Sequence, residues 1–304
     1  MIIRQRENWL RMLFIWRGSV LKKIIVQLVT ITLFSLAIYF FKGKIFDYKV
    51  HLNPTIFTLL GLALAIFMGF CNTASYDRYW EGRKLWGLLV IETRSLTRQI
   101  FSLVDGPSKE EKQKIIKMIS AFCWSLNDQL RDRPGTERIS HLLSSDQMKV
   151  LEHKKFIPSI ILGFIADWLR QQHKKGYIDT IVLTQLDHQL NQFSNISGGC
   201  ERIHNTPLPF AYSVLLHRTV YLYCFWLPFG LVDSLGWMMP LIVVLISYTF
   251  IALDAIIQEI GEPFGEEEND LALNSICRTI EYSVFEQAEI PQDGLKKPDS
   301  YIVN

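Results

Sequence analysis

Two groupings in this chain have side chains whose type and spacing suggest chemistry. Leu62, Ile66 and Phe70 recur every four residues inside an uncharged stretch, Thr55 to Tyr76. Four-residue spacing puts them on one face of a helix. Repeated round a symmetry axis, such a face makes stacked apolar collars, and a narrow apolar tube stops ions by expelling water. The same spacing also suits a face turned to lipid or to a neighbouring helix. The second grouping is acidic: Glu259, Glu262, Glu266, Glu267, Glu268 and Asp270. Carboxylates in a short run offer the oxygen ligands that calcium takes six to eight at a time. They also favour the start of a helix through its dipole. No enzyme motif stands beside these. The seven histidines show no HExxH spacing, and there is no GxSxG, P-loop or GxGxxG. The five cysteines have no CxxC spacing, which argues against a zinc site or a disulfide framework. We therefore expect a protein that is not an enzyme and has neither cofactor nor confident metal site.

Membrane helices must position the apolar face. Hydrophobic residues make up 49% of the 304 and charged residues 20%, a mixture of membrane spans and a water-exposed part. The net charge of +2 gives no reason to expect nucleic acid. Four apolar segments are long enough to cross a bilayer: 24–41, 55–76, 210–232 and 234–253. Basic residues crowd the N-terminus (Arg4, Arg6, Arg11, Arg17, Lys22, Lys23) and the stretch after the second segment (Arg78, Arg83, Lys84, Arg94, Arg98). Asp233-Ser234-Leu235-Gly236 carries none, whereas Lys42, Lys44 and Lys49 sit in the first link. On balance the positive-inside rule places both termini and the long middle segment in the cytoplasm. The expected location is a plasma membrane, which the chain crosses several times.

The expected organisation has four parts. Residues 1–76 hold the N-terminal segment and the first two spans, with the pore helix at 55–76. Residues 77–209 form a cytoplasmic helical region, 210–257 the last two spans, and 258–304 a C-terminal helix and tail. In the middle region, periodicity predicts helices around 85–100, 115–126, 156–172 and 178–193. Ser194 to Gly199 and Pro207/Pro209 read as a loop back to the membrane. Glu266 to Ala288 reads as one amphipathic helix, and the tail from Pro291 as poorly ordered. The fold class is all-α. Four spans per chain leave little room for a channel within one subunit, so a pore would lie on an axis shared by several. Gly61, Ala63, Ala65 and Gly69 supply small surfaces for close helix approach.

At Arg78-Tyr79-Trp80, within SYDRYWEGRKLWG, and at Glu262-Pro263-Phe264-Gly265 with its acidic run, the chain resembles the bestrophin family, in a short bacterial form. The likeness extends over about residues 1–290 and includes the order of the spans. It implies a homopentameric ion channel with a central pore, a neck at Leu62, Ile66 and Phe70, and a second, cytoplasmic aperture near Thr180 and Ile181. The family implies anions, chiefly chloride. In animal members the acidic segment clasps calcium. Here Glu259 and Glu262 replace neutral family residues, Glu267 and Glu268 replace aspartates, and Asn269 a third, which argues against a tight clasp.

Ion sign is read from charge. Asp179 lies beside the expected aperture, Glu259 and Glu262 are acidic, and the second span has no basic ring; fivefold repetition of acids attracts cations. The reading leans to small monovalent cations such as sodium, with an anion channel as the alternative. A membrane-anchored scaffold or sensor is the alternative of another class. Asn72, Ser75 and Asp77 are expected to continue beyond the neck. Arg218, early in the third span, is expected to anchor at the membrane interface, and Asp254 to pair with a basic residue such as Arg78.

Overall fold

The structure is a computed structural model that describes residues 8–12, 15 and 16, 18–45, 48 and 49, and 52–292. Arg4, Arg6 and Arg17 of the basic N-terminus, and residues 293–304 of the tail, lie outside the described residues.

Helices dominate, as they must in segments whose backbone has no water to bond. In chain order they are α1 (Trp9–Met12), α2 (Leu21–Phe40), α3 (Pro54–Leu103), α4 (Lys109–Gln129), α5 (Ser145–Leu151), α6 (Ile157–Lys174), α7 (Thr180–Asn205), α8 (Phe210–Leu235), α9 (Met239–Gly261) and α10 (Leu273–Gln287). Strands β1 (Lys44–Ile45) and β2 (Tyr48–Lys49) form a two-residue antiparallel ladder between α2 and α3. Among the described residues, three stretches are long and apolar enough to cross a membrane: Leu21–Phe40, Pro54–Leu103 and Phe210–Gly261. The last consists of two helices, α8 and α9, joined by a short 3-10 turn at Gly236–Met238, so four helices carry the four expected spans.

The chain divides into two compact units. One comprises the described residues between 8 and 79 together with 207–263. In it α2, α8 and α9 pack on one another. Its core runs from Ile24, Ile31 and Ile38 of α2 through Leu64 and Met68 of α3 to Val220, Leu227, Val243 and Ile251 of the last two spans. Phe34 stacks on Phe225 at 4.3 Å between ring centroids.

The other unit comprises, among the described residues, 80–206 and 264–292. Here α4 packs on α6 and α10, and α6 on α7. Trp86, Leu89, Leu96 and Ile100 bury one stripe of α3; Ile115, Ile119, Phe122 and Leu126 bury one of α4. Phe122 meets Phe193 of α7 edge-on at 5.4 Å. Ser108 caps α4, accepting from the Glu111 amide at 3.3 Å.

Three boundaries differ from the sequence reading. The helix that carries the second expected span does not stop near Tyr76; α3 continues without interruption to Leu103. The helical period simply persists through the charged residues. Ser194 to Gly199 is not a loop but lies within α7. Gly199 is there for packing: a Cβ on it would sit 2.9 Å from Leu85 Cδ1 of α3. Finally, Glu266 to Ala288 is not one helix, because α10 begins only at Leu273.

Candidate functional site

The neck candidates sit on α3 opposite its packed face. Phe57, Leu64, Met68 and Ser75 are buried, at seven- and four-residue intervals along one stripe. A residue two positions away points about 160–200° round a helix of 3.6 residues per turn. Ile66 stands two from both Leu64 and Met68, so it faces away from its own chain, with Leu62 and Phe70 beside it. Their exposures are 60% for Leu62, 54% for Ile66 and 71% for Phe70. Three large apolar side chains thus form an unpartnered column. Of the small residues, Gly61 allows close approach, since a Cβ on it would lie 2.9 Å from Tyr223 Oη on α8. Gly69 has open space around it, and Ala63 and Ala65 are exposed. Ser75 does not continue the exposed column: it is buried, with its hydroxyl directed at Gly261. Asp77 is exposed and Asn72 partly so.

Thr180 and Ile181 occupy the first turn of α7. Asp179 is the cap of that helix; its Oδ1 accepts from the Val182 amide at 2.7 Å. Capping holds the carboxylate at the helix start and leaves Thr180 and Ile181 outward, with Ile181 at 75% exposure. From Asp179 to Glu201 there is no lysine or arginine, and the exposed charges of the first turns are Asp179 and Asp187.

The acidic residues are not brought together as a metal cage. Glu259, near the end of α9, is buried against Lys23 at 3.2 Å. Glu262 is exposed just past that helix. Within the loop before α10, Glu266 pairs with Arg133. Asp270 Oδ2 accepts from the Glu267 amide at 2.8 Å. Among the described residues no three His, Cys, Asp or Glu converge as metal ligands. The alternative helix-dipole role for Glu266 to Glu268 also fails, because these residues precede α10 by at least four positions.

An arginine organises this loop instead. Arg131, just after α4, donates from Nε to the Phe264 carbonyl at 3.1 Å and from Nη2 to the Gly265 carbonyl at 3.0 Å. The Leu271 carbonyl accepts from Nη2 at 3.5 Å. Burial, helped by Arg133, pulls the guanidinium below its ordinary value. Nearby Asp128 is buried, with Arg138 at 3.4 Å; burial pushes its carboxyl above the ordinary range, against the pull of Arg138, Arg133 and Arg131. On α10, Glu281 accepts from Trp124 Nε1 at 2.6 Å and Ser120 Oγ at 2.8 Å.

Sequence reasoning missed these arginine contacts, although three arginines at 131, 133 and 138 round a Pro-Gly turn were a signal. It also mispaired Asp254. That carboxylate contacts His217 Nδ1 at 2.9 Å and accepts from Gln258 at 3.1 Å, while Arg78 Nε donates to the Gly261 carbonyl at 3.0 Å.

Comparison with known proteins follows the same lines. The family profile described as Bacterial/Fungal Bestrophin protein matches residues 1–286. The voltage-dependent anion channel-forming protein YneE of Escherichia coli O157:H7 is 42% identical over 304 residues, covering 99% of each chain. A voltage-dependent anion channel-forming protein of Ralstonia nicotianae is 41% identical, over 97% of this chain and 96% of that one. The crystal structure of a bacterial bestrophin homologue from Klebsiella pneumoniae matches with a TM-score of 0.83 at 36% identity, covering 88% of this chain and 100% of that one. The all-α fold with apolar crossing helices, the two resembling motifs and these matches over nearly the whole chain agree: this protein belongs to the bestrophins of bacteria and fungi, a family of membrane ion channels and not of enzymes.

Proposed function

We propose that five copies of the chain surround one axis and conduct small monovalent ions, with Leu62, Ile66 and Phe70 forming an apolar neck. The observation that carries this reading is the unpartnered column on α3, turned away from its own chain in a member of a channel family. Residues 55–76 lie in the bilayer, and the rest of α3 continues into the cytoplasm. Both termini are cytoplasmic, in a bacterial inner membrane. Thr180 and Ile181 line a second, wettable aperture.

The neck carries no charge, so ion sign is set elsewhere. Five copies of α7 would present rings of Asp179 and Asp187 with no basic residue among them, which favours cations. Anion selectivity is the second reading, favoured by the names of the YneE and Ralstonia relatives. Opening is independent of calcium, because Arg131 already takes carbonyls of the acidic segment.

The test is ion flux from liposomes with protein whose solubilised mass has been measured. Wild type passes sodium, with calcium or chelator making no difference, and reversal potentials in a salt gradient follow the cation. Ile66→Ala and Phe70→Ala raise conductance or open probability by wetting the neck. A lone subunit by mass, or unchanged flux in well-assembled variants, overturns the neck; a reversal potential that follows chloride overturns the cation reading.

A further inference from the structure

In the unit of residues 80–206 and 264–292 the long helices pack side by side and alternate in direction. One end collects the ends of α4 and α7 and the starts of α6 and α10. There Gln129 donates to Glu201 at 2.8 Å and Asn127 donates to Asn274 at 2.7 Å. A Cβ on Gly135 would lie 3.4 Å from Ile157 Cδ1 and 3.8 Å from Asp128 Cβ. At the opposite end Lys109 pairs with Glu289, and Tyr177 lies against Gly106. Among the described residues the chain passes to and from the spans only at the first end, after residues 79, 206 and 263. Phe264, whose carbonyl accepts from Arg131, follows the last residue of α9 by three, a reach of at most about 11 Å. That end is therefore tied to the bilayer. The opposite end stands one length of α6 away, about 27 Å for its 18 residues.

The start of α6, at the tied end, carries an exposed apolar ring beside two charges. Phe156 is the N-cap of α6 and makes no side-chain cap bond, where serine, threonine, asparagine or aspartate would make one. Its ring is 53% exposed, although the next residue, Ile157, is buried. Lys154 and Lys155 precede it and are exposed. Among the described residues neither ammonium makes a hydrogen bond or an ion pair. Lys155 Nζ stands 5.8 Å from the centroid of the Phe156 ring. Two ammonium groups and an apolar ring on one loop match the surface of an anionic bilayer, which attracts the charges and takes the ring among its headgroups.

We propose that Lys154, Lys155 and Phe156 dock on anionic phospholipid headgroups of the bilayer that the spans cross, and so fasten the tied end of this helical unit to the membrane surface. The opposite end of α6 supplies the contrast. Lys174, Lys175 and Tyr177 there repeat the same chemistry. The field of a charged bilayer fades within a Debye length, about 8–10 Å at ordinary salt, so a turn one helix length away does not feel it. The docking depends neither on the neck nor on ion sign.

Hydrogen–deuterium exchange of the full-length complex, read by mass spectrometry in nanodiscs of dioleoyl phosphatidylglycerol or dioleoyl phosphatidylcholine, tests it. Amides of residues 152–157 should exchange about five-fold more slowly in phosphatidylglycerol. The difference should vanish at roughly 1 M salt, where the Debye length is about 3 Å. Replacing both lysines, Lys154→Gln with Lys155→Gln, removes the difference, and Phe156→Ser reduces it. The turn at 174–178 exchanges equally in the two lipids. Equal exchange of residues 152–157 in both lipids overturns the docking. So does an equal slowing at 174–178, which would mark a response of the whole chain to charge. Protection already complete in detergent would mean that another copy covers the loop, and protection produced by inorganic phosphate in phosphatidylcholine would mean a soluble anion. Either result also refutes the lipid contact.

Discussion

Arg131 does for the acidic loop what a bound cation would otherwise do: one planar group collects carbonyls at Phe264, Gly265 and Leu271. Arg131→Leu leaves those oxygens without their donor, at a cost of at least about 2 kcal/mol. Arg131→Lys keeps the charge but cannot fork, so it recovers only part of the loss. Thermal unfolding in detergent measures both, and equal melting temperatures for all three proteins would refute the role. Asp128 gives a prediction about pH. Burial holds its carboxyl above the ordinary value in the folded chain, so the folded state binds its proton more readily than the unfolded state does. Its contribution to stability is therefore full below the unfolded value near pH 4, and is lost as pH rises through the raised folded value. Asp128→Asn removes that slope. The melting temperature of the variant minus that of wild type should be more positive at pH 7 than at pH 4; a difference independent of pH would contradict the assignment.

At the scale of elements, the spans and most cytoplasmic helices were legible because burial repeats with the helical period. Leu62, Ile66 and Phe70 could be placed on one face by counting, but spacing alone could not tell which face of α3 was packed. Leu64 and Met68 decide that through contacts distant in sequence. Composition misled where chemistry and packing use the same residues. Serine and glycine at 194–199 resemble a loop, yet Gly199 is small because Leu85 lies against it. The run at Glu266 resembles a helix start, yet the carbonyls on either side of it, Gly265 and Leu271, accept from Arg131. Gly61 gives the element-level prediction. A methyl at this position presses on Tyr223 Oη, so Gly61→Ala should lower the melting temperature, by the equivalent of about 1–2 kcal/mol. Removing the hydroxyl leaves the nearest ring carbon at 3.4 Å, so Tyr223→Phe should restore part of that loss. No rescue in the double variant would mean that the strain lies elsewhere.

For the whole molecule, the resemblance was legible from two short motifs in the right order, and the matches over residues 1–286 place the chain in the family. What a single chain leaves open, such as subunit number and ion sign, belongs to an assembly and to flux. The distribution of sulfur has a practical consequence. All five thiols are free, and four of them, Cys123, Cys200, Cys224 and Cys277, are buried. Burial pushes Cys200 up to about 12 and raises Cys123 and Cys277 strongly, so these sulfurs stay protonated and unreactive. Cys71 alone is partly accessible, and it directly follows Phe70. A water-soluble maleimide should therefore modify at most one position per folded chain, and Cys71→Ser should abolish that label. Modification of a second thiol before unfolding would disprove this. The native sequence would thus carry its own spectroscopic handle one residue from the neck, with no engineered cysteine needed to attach a dye or spin label there.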